Sequence, residues 1–188
     1  MTAQANTTRS TKTTTKKASA KPEAKPAAKT AATPARTLPY EVRNSPVHGR
    51  GVFAIRKIAE GSRIIEYKGE RITGDEAVRR ENLKPADDFH TFFFSLDDGN
   101  IIDGGSKGNN ARWINHSCEP NCQAQEDDGR VFIYALRDIA PGEELNYDYG
   151  LIIDERLTPT LKRNYRCLCG SAECRGTLLA TKKKKKRA

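Results

Sequence analysis

Three cysteines, Cys167, Cys169 and Cys174, crowd the C-terminal part of the sequence in a C-x-C-x4-C pattern with Gly170 in the turn. Thiolates so spaced can wrap one tetrahedral ion. They supply one ligand too few, because a structural zinc site takes four. The other two cysteines, Cys118 and Cys122, are the candidates for the fourth position. Whichever serves, the chain is expected to fold its C-terminal segment back onto a much earlier turn. An odd total of five cysteines, with no apolar run at the N-terminus, fits metal binding in a reducing compartment better than a disulfide framework.

Charge is as unevenly placed as sulfur. The 188 residues carry a formal net charge of +9. Residues 1–36 hold eight basic residues and one acid, Glu23, for +7, and Lys182 to Arg187 add +6. Against the total, that leaves −4 on residues 37–180. A mildly acidic core with two basic arms argues against a uniformly basic nucleic-acid-binding fold. No stretch approaches the ~20 apolar residues of a membrane span.

The arms lack the means to fold. Residues 1–37 are Thr, Lys, Ala and Pro with no aromatic residue, and the overall hydrophobic fraction is only 36%. Such a segment buries too little apolar surface to offset chain ordering, so residues 1–37 are expected to be disordered, with 181–188 a second basic tail. Between them, short strand-like runs dominate: Gly51–Ile55, Arg63–Tyr67, Thr91–Leu96, Ile101–Ile102, Val131–Leu136 and Glu144–Tyr147. Asp97-Asp98-Gly99-Asn100 reads as a hairpin loop. A helix is expected from Thr73 to Leu83, where Thr73 and Glu76 form a capping-box pattern and Pro85 lies just beyond. A second, from about Thr158 to Arg163, has Pro159 at its first position. The expected class is a β-rich α+β domain of many short strands.

Three further segments carry chemistry. Arg112-Trp113-Ile114-Asn115-His116-Ser117-Cys118-Glu119-Pro120-Asn121-Cys122 packs polar residues around a proline turn, and by itself is equally a polar loop with a satisfied histidine. In Glu144-Leu145-Asn146-Tyr147-Asp148-Tyr149 two tyrosines flank an aspartate and would share one face of a strand. Gly49-Arg50-Gly51-Val52-Phe53-Ala54 has glycines that allow close backbone approach to a ligand, although a turn explains them as well.

In this order, with Glu66-Tyr67-Lys68-Gly69-Glu70 and the cysteine cluster, these segments resemble the SET-domain protein lysine methyltransferases with a C-terminal post-SET zinc segment. The resemblance covers about residues 39–180, divided into a SET domain over 38–150 and a post-SET segment over 151–180. It implies a fold of small curved β-sheets whose C-terminal segment is threaded, pseudoknot-like, under a loop. It also implies a cleft with S-adenosylmethionine on one side and a lysine channel on the other. Gly49, Arg50, Gly51, Phe53, Phe92, Asn115, His116, Tyr149 and Leu178 are then expected at the cofactor. Cys118, Cys167, Cys169 and Cys174 are expected as structural zinc ligands, with Cys122 a free thiol. Tyr149 matches the catalytic tyrosine, Tyr67 a second channel tyrosine, and Tyr147 the position that sets product state, where a hydroxyl favours mono- or dimethylation. Phe92 stands where many relatives carry tyrosine, and Trp113 where phenylalanine is usual. No cysteine-rich segment precedes residue 39, so substrate selection is expected from the insert at about 71–95 and from the arms.

The implied activity is methyl transfer to lysines of histones or histone-like basic proteins. The rival is a non-catalytic, zinc-stapled chromatin or nucleoid module, against which Asn115, His116, Tyr147 and Tyr149 all stand. The arms are expected to make non-specific phosphate contacts with DNA, and Lys182–Arg187 also reads as a nuclear-localisation-like run. The expected location is chromatin, in a nucleus or a bacterial nucleoid, with no membrane and no indicated oligomer. The acidic clusters Asp87-Asp88, Asp97-Asp98 and Glu126-Asp127-Asp128 read as solvated turns.

Overall fold

The computed structural model describes residues 37–85, 88, 90–153 and 156–180, so apart from Thr37 the arms lie outside the described residues. Among the described residues, ten short strands form three small sheets. Strands β1 (Tyr40–Asn44) and β2 (Arg50–Ala54) open the first sheet, and β3 (Arg63–Tyr67) starts the second. The third sheet contains β4 (Glu70–Ile72), β5 (Phe93–Ser95) and β6 (Ile101–Asp103) in the order β4-β6-β5. Next come β7 (Asn115–His116), β8 (Cys122–Asp127), β9 (Arg130–Ala135) and β10 (Glu144–Tyr147). They complete a first sheet ordered β1-β2-β10-β7 and a second ordered β3-β9-β8. No helix among the described residues is long and apolar enough to cross a membrane.

The central strands β2 and β9 carry continuous apolar runs, whereas the equally central β10 alternates. In β9, Val131, Phe132 and Ile133 are all buried, as expected for a strand covered on both faces. Val52 of β2 and Leu145 of β10 pair directly and join Ile114, Ile133 and Ile139 in one core between the first two sheets. Strands β8 and β9 are joined by Asp128 and Gly129, both at positive φ (48° and 68°), the geometry of a two-residue type I′ hairpin. The Glu126-Asp127-Asp128 cluster is therefore mostly strand end, with Glu126 accepting the Asp97 amide at 2.8 Å.

Both helices start where expected. The Thr73 hydroxyl caps α1 (Gly74–Asn82) by accepting the Glu76 amide at 3.3 Å. The Glu76 carboxylate does not return to the cap, because Arg79 and Arg80 take it at 2.7 and 2.8 Å. Arg80 also reaches Glu70 at 2.8 Å and Asp103, tying α1 to the third sheet. Thr158 caps α2 (Pro159–Asn164), with Pro159 in its first turn.

The strand that positions the site is β10. It runs antiparallel to β2 and parallel to the two-residue β7, pairing Asn146 with Asn115 and Tyr147 with His116. A parallel pair needs a crossover, and the β8–β9 hairpin lies within that connection. Reciprocal amide bonds lock the two segments: the Asn121 N–H donates to Asn146 Oδ1 at 3.0 Å, and the Asn146 N–H to Asn121 Oδ1 at 2.9 Å. Beyond β10 the chain turns back on itself through an Arg166–Thr177 bridge. It returns to Leu151 through Leu179, a fully buried side chain.

Candidate active site

The four sulfurs of Cys118, Cys167, Cys169 and Cys174 all lie within 4.8 Å of one another. Cys118 Sγ is 3.8 Å from Cys167 Sγ and 4.0 Å from Cys174 Sγ. A tetrahedron with metal–sulfur bonds of about 2.3 Å has edges of about 3.8 Å, so the donor set fits zinc. Backbone amides of Cys169, Arg175 and Gly176 point at Cys167, Cys118 and Cys174 Sγ, each at 3.4 Å, as donors to thiolates would. Cys122 takes no part. It is buried in β8, and burial pushes its thiol up to about 12.

His116 joins this cluster to β10. Its Nδ1 accepts the Tyr149 amide at 3.1 Å, which places the proton on Nε2, 3.4 Å from Cys118 Sγ. Burial pushes the imidazole down to about 4, so it is neutral in this arrangement.

Beside the cluster lies a cavity of about 370 Å³, within the usual range of small-molecule sites. Asn115, His116, Tyr149 and Leu178 line it, together with Val47, His48 and His90 from the other side. Tyr165, Arg166 and Leu168 of the C-terminal segment complete one wall. The mixture of imidazole, amide, guanidinium and aliphatic surface fits a cofactor with a charged amino-acid end and a flat heterocycle.

Gly49, Arg50, Gly51, Phe53 and Phe92 are not among the lining residues; they build the frame behind them. At Gly51 a Cβ would collide with the Glu144 carboxylate, which accepts the Asn115 amide at 2.7 Å and the Ser45 hydroxyl at 2.9 Å. The same Asn115 amide reaches the carbonyls of Arg50 and His48 at 3.0 and 3.3 Å. Arg50 stacks its guanidinium on Trp113, and Phe53 is buried under Arg43. Phe92 packs edge-on against both His90 and Trp113. Val47, His48, Asp88, His90, Asn164, Tyr165, Arg166 and Leu168 line the cavity but were not expected from the sequence; Val47 and His48 lie just upstream of the glycine motif. The fold gathers all three histidines of the chain, His48, His90 and His116, around this cavity, which no spacing in the sequence encodes.

The tyrosines meet on the far side. Tyr147 and Tyr149 rings are 4.9 Å apart, and the Tyr149 ring is 5.3 Å from His116. The Tyr149 hydroxyl donates to the Ile114 carbonyl at 2.8 Å and the Tyr67 hydroxyl to the Phe92 carbonyl at 2.7 Å. Gly104 makes room for Tyr67, since a Cβ there would stand 2.7 Å from its hydroxyl. Burial raises all three phenol pKa values above the usual range, and repulsion between the phenolates would add to this for Tyr67 and Tyr149. They are neutral hydrogen-bonding groups at physiological pH. A second cavity of about 230 Å³ is lined by Phe94, Gln123, Leu136, Tyr147, Asp148 and Tyr149, among others. Tyr149 lines both cavities and so stands in the wall between them.

A family model described as SET domain matches residues 49–150. The chain is 43% identical over 149 residues to a protein of Chaetomium globosum named histone-lysine N-methyltransferase, H3 lysine-4 specific. That match covers 76% of this chain and 13% of the fungal protein. It is 38% identical over 138 residues to the histone-lysine N-methyltransferase trithorax of Drosophila virilis, covering 71% of this chain and 3% of that protein. Human histone-lysine N-methyltransferase 2B is also 38% identical over 138 residues, 71% of this chain and 5% of the human protein. The chain thus spans only a small part of the length of these relatives.

Proposed function

The chain belongs to the SET-domain family, and on that premise we propose that it is an S-adenosylmethionine-dependent lysine methyltransferase acting on histones or histone-like basic proteins. The observation that carries this reading is the position of Tyr149 between two cavities. The larger suits the methyl donor and the smaller a lysine side chain, so donor and acceptor meet at one ring. The relatives' names, which specify histone lysine, support the substrate class.

The cofactor supplies a methyl group already activated on a sulfonium. What remains for the protein is alignment and deprotonation. Holding an ordinary lysine neutral at pH 7 costs about 4.6 kcal/mol. An apolar channel lowers that cost by disfavouring the ammonium form. Phe94, Tyr147 and Tyr149 provide such walls. None of the three tyrosines is poised as a base, so the proton leaves to solvent while the Tyr147 hydroxyl orients the amine. Alignment of nitrogen, methyl and sulfur then contributes much of the acceleration.

Tyr67 and Tyr149 spend their hydroxyls on backbone carbonyls. Tyr147 has no such partner among the described residues, which leaves its hydroxyl to crowd and hydrogen-bond the amine. We therefore infer mono- or dimethylation. Zinc in the four-cysteine cluster would hold the C-terminal wall of the larger cavity in place. The basic arms would tether the enzyme to nucleic acid, placing it at chromatin or a nucleoid.

The test uses labelled S-adenosylmethionine with core histones and, separately, bacterial nucleoid proteins. Wild type should transfer label to lysines of one pool as mono- and dimethyl products, located by mass spectrometry. Tyr149→Phe should lose most of the activity, and Tyr147→Phe should shift products toward trimethyl-lysine. No transfer to either pool, or equal transfer by Tyr149→Phe, would reject the reading.

A further inference from the structure

Asp148 sits between the two site tyrosines, and its carboxylate is met by a residue from the cysteine loop. Arg175 Nη1 donates to Asp148 Oδ2 at 2.7 Å and Nη2 to Oδ1 at 2.5 Å, a two-pronged pairing across 27 residues. The third guanidinium nitrogen, Nε, donates to the Thr177 carbonyl at 3.1 Å, and the Arg175 amide donates to Cys118 Sγ at 3.4 Å. The whole guanidinium is therefore fixed, with 20% of its side chain exposed. On the carboxylate side, Asp148 Oδ1 also accepts the Gly150 amide at 3.0 Å and lies 3.5 Å from His116 Nδ1.

An isolated surface ion pair is worth little. This one differs in its connections. Arg175 is bonded to the sulfur cluster and to Thr177, next to Leu178, which lines the larger cavity. Asp148 lines the smaller cavity and follows Tyr147 directly. The pair thus ties the segment walling one cavity to the residues just after β10 that wall the other. Its cation also lies beside thiolates that, around zinc, carry net negative charge.

We propose that Asp148 and Arg175 are positioning residues that latch the C-terminal segment onto the Tyr147–Tyr149 segment at the end of β10, so that closure of the cofactor cavity and alignment of the tyrosines occur together. The inference deepens the methyltransferase reading and rests on it for the cofactor. The latch itself is a property of this chain's own residues. Neither residue touches the reacting atoms; each acts by holding Tyr149, His116 and Leu178 in one frame.

The experiment uses the full zinc-loaded chain and measures backbone amide exchange over residues 165–180 and S-adenosylmethionine affinity by calorimetry. Asp148→Asn removes the charge at constant size, and Arg175→Lys keeps the charge but not the fork. Each should speed exchange at the Cys167 and Leu178 amides, which donate to Gly176 and Tyr165 carbonyls. Each should also weaken cofactor binding about tenfold, the scale of one charge-assisted pair, with zinc content unchanged. The double variant should match the weaker single, because the two residues act as a unit. In steady state, KM for the cofactor should rise more than kcat falls. Unchanged exchange in both singles, or losses that add in the double variant, would overturn the latch. Failure of the methyltransferase reading would show separately, as a wild-type chain that binds no S-adenosylmethionine while the exchange comparison still decides the latch.

Discussion

At the scale of single residues, the tyrosines define what the site can do. Tyr67, Tyr147 and Tyr149 were legible because each belongs to a motif; the expected shared strand face is not what joins Tyr147 and Tyr149, since β10 ends at Tyr147 and the Tyr149 ring approaches from beyond it at 4.9 Å. Their hydrogen bonds were not legible, because Ile114 and Phe92 contribute only carbonyl oxygens, which no residue identity encodes. The raised phenol pKa values give a testable consequence. A group whose pKa is higher folded than unfolded contributes stability that is intact below the unfolded value, near 10 for tyrosine, and is lost as pH rises toward the folded one. Burial raises Tyr67, Tyr147 and Tyr149 in this way. In an alkaline titration followed by phenolate absorbance, these three should stay protonated well past pH 10 and ionise only as the domain unfolds. Smooth titration of every tyrosine near pH 10, with circular dichroism unchanged, would show that the site is open to solvent.

At the scale of elements, the parallel contact of β7 with β10 organises everything else, and it was the least legible part of the fold. Two residues are too few for a periodic signal, and the partner of Asn115 lies in a separate motif. Strands β1, β4 and β8 also went unread. Cys122–Asp127 alternates weakly and is largely polar, although the Asp-Gly pair after it is a strong hairpin signal. The helices were legible from their caps, β3 from an apolar run just after Glu60-Gly61, and β10 as a short strand following Pro141-Gly142. Resemblance supplied the meeting of the Asn-His-Ser-Cys and Tyr-Asp-Tyr segments; the bonds that hold it are local chemistry. Asn121 is 3% exposed and makes three of them: the two reciprocal bonds with Asn146 and one from its side-chain amide to the Glu144 carbonyl at 2.8 Å. Of these three, Asn121→Ala keeps only the bond from its own backbone amide; it orphans the Asn146 amide and leaves the Glu144 carbonyl with only the longer bond from the Asn146 side-chain amide at 3.3 Å. We expect a loss of about 2–3 kcal/mol of unfolding free energy, read from urea melts. Cofactor affinity should fall with it, since β7 carries Asn115 and His116 into the cavity. A variant as stable and as tight-binding as wild type would mean that the parallel pair holds without the clamp.

At the scale of the whole molecule, one long-range closure and one division of charge set the behaviour. Cys118 and Cys167 are separated by 49 residues, so an ion held between them closes a large loop. By chain-entropy arithmetic such a cross-link is worth about 4 kcal/mol. Removing zinc with a strong chelator should lower the melting temperature by about 10 °C, and metal analysis should return one zinc per chain before treatment. The charge division acts on a different partner. Residues 37–180 carry −4 while Lys182 to Arg187 alone carry +6. On the proposed function, basic protein substrates would be drawn to the first and phosphates to the second, so the two attractions would be separable. Replacing Lys182–Arg187 with glutamine should reduce the slope of log affinity for DNA against log salt by up to about 5, since each phosphate contact contributes about 0.9. The same variant should methylate a free histone peptide, which carries no phosphates for the arm to hold, at the wild-type rate. On DNA-bound substrate it should fall behind, and the deficit should vanish as salt rises, where neither protein is held by phosphates. An unchanged salt slope would remove the tether. A deficit on the free peptide would place the arm's charge in substrate binding instead.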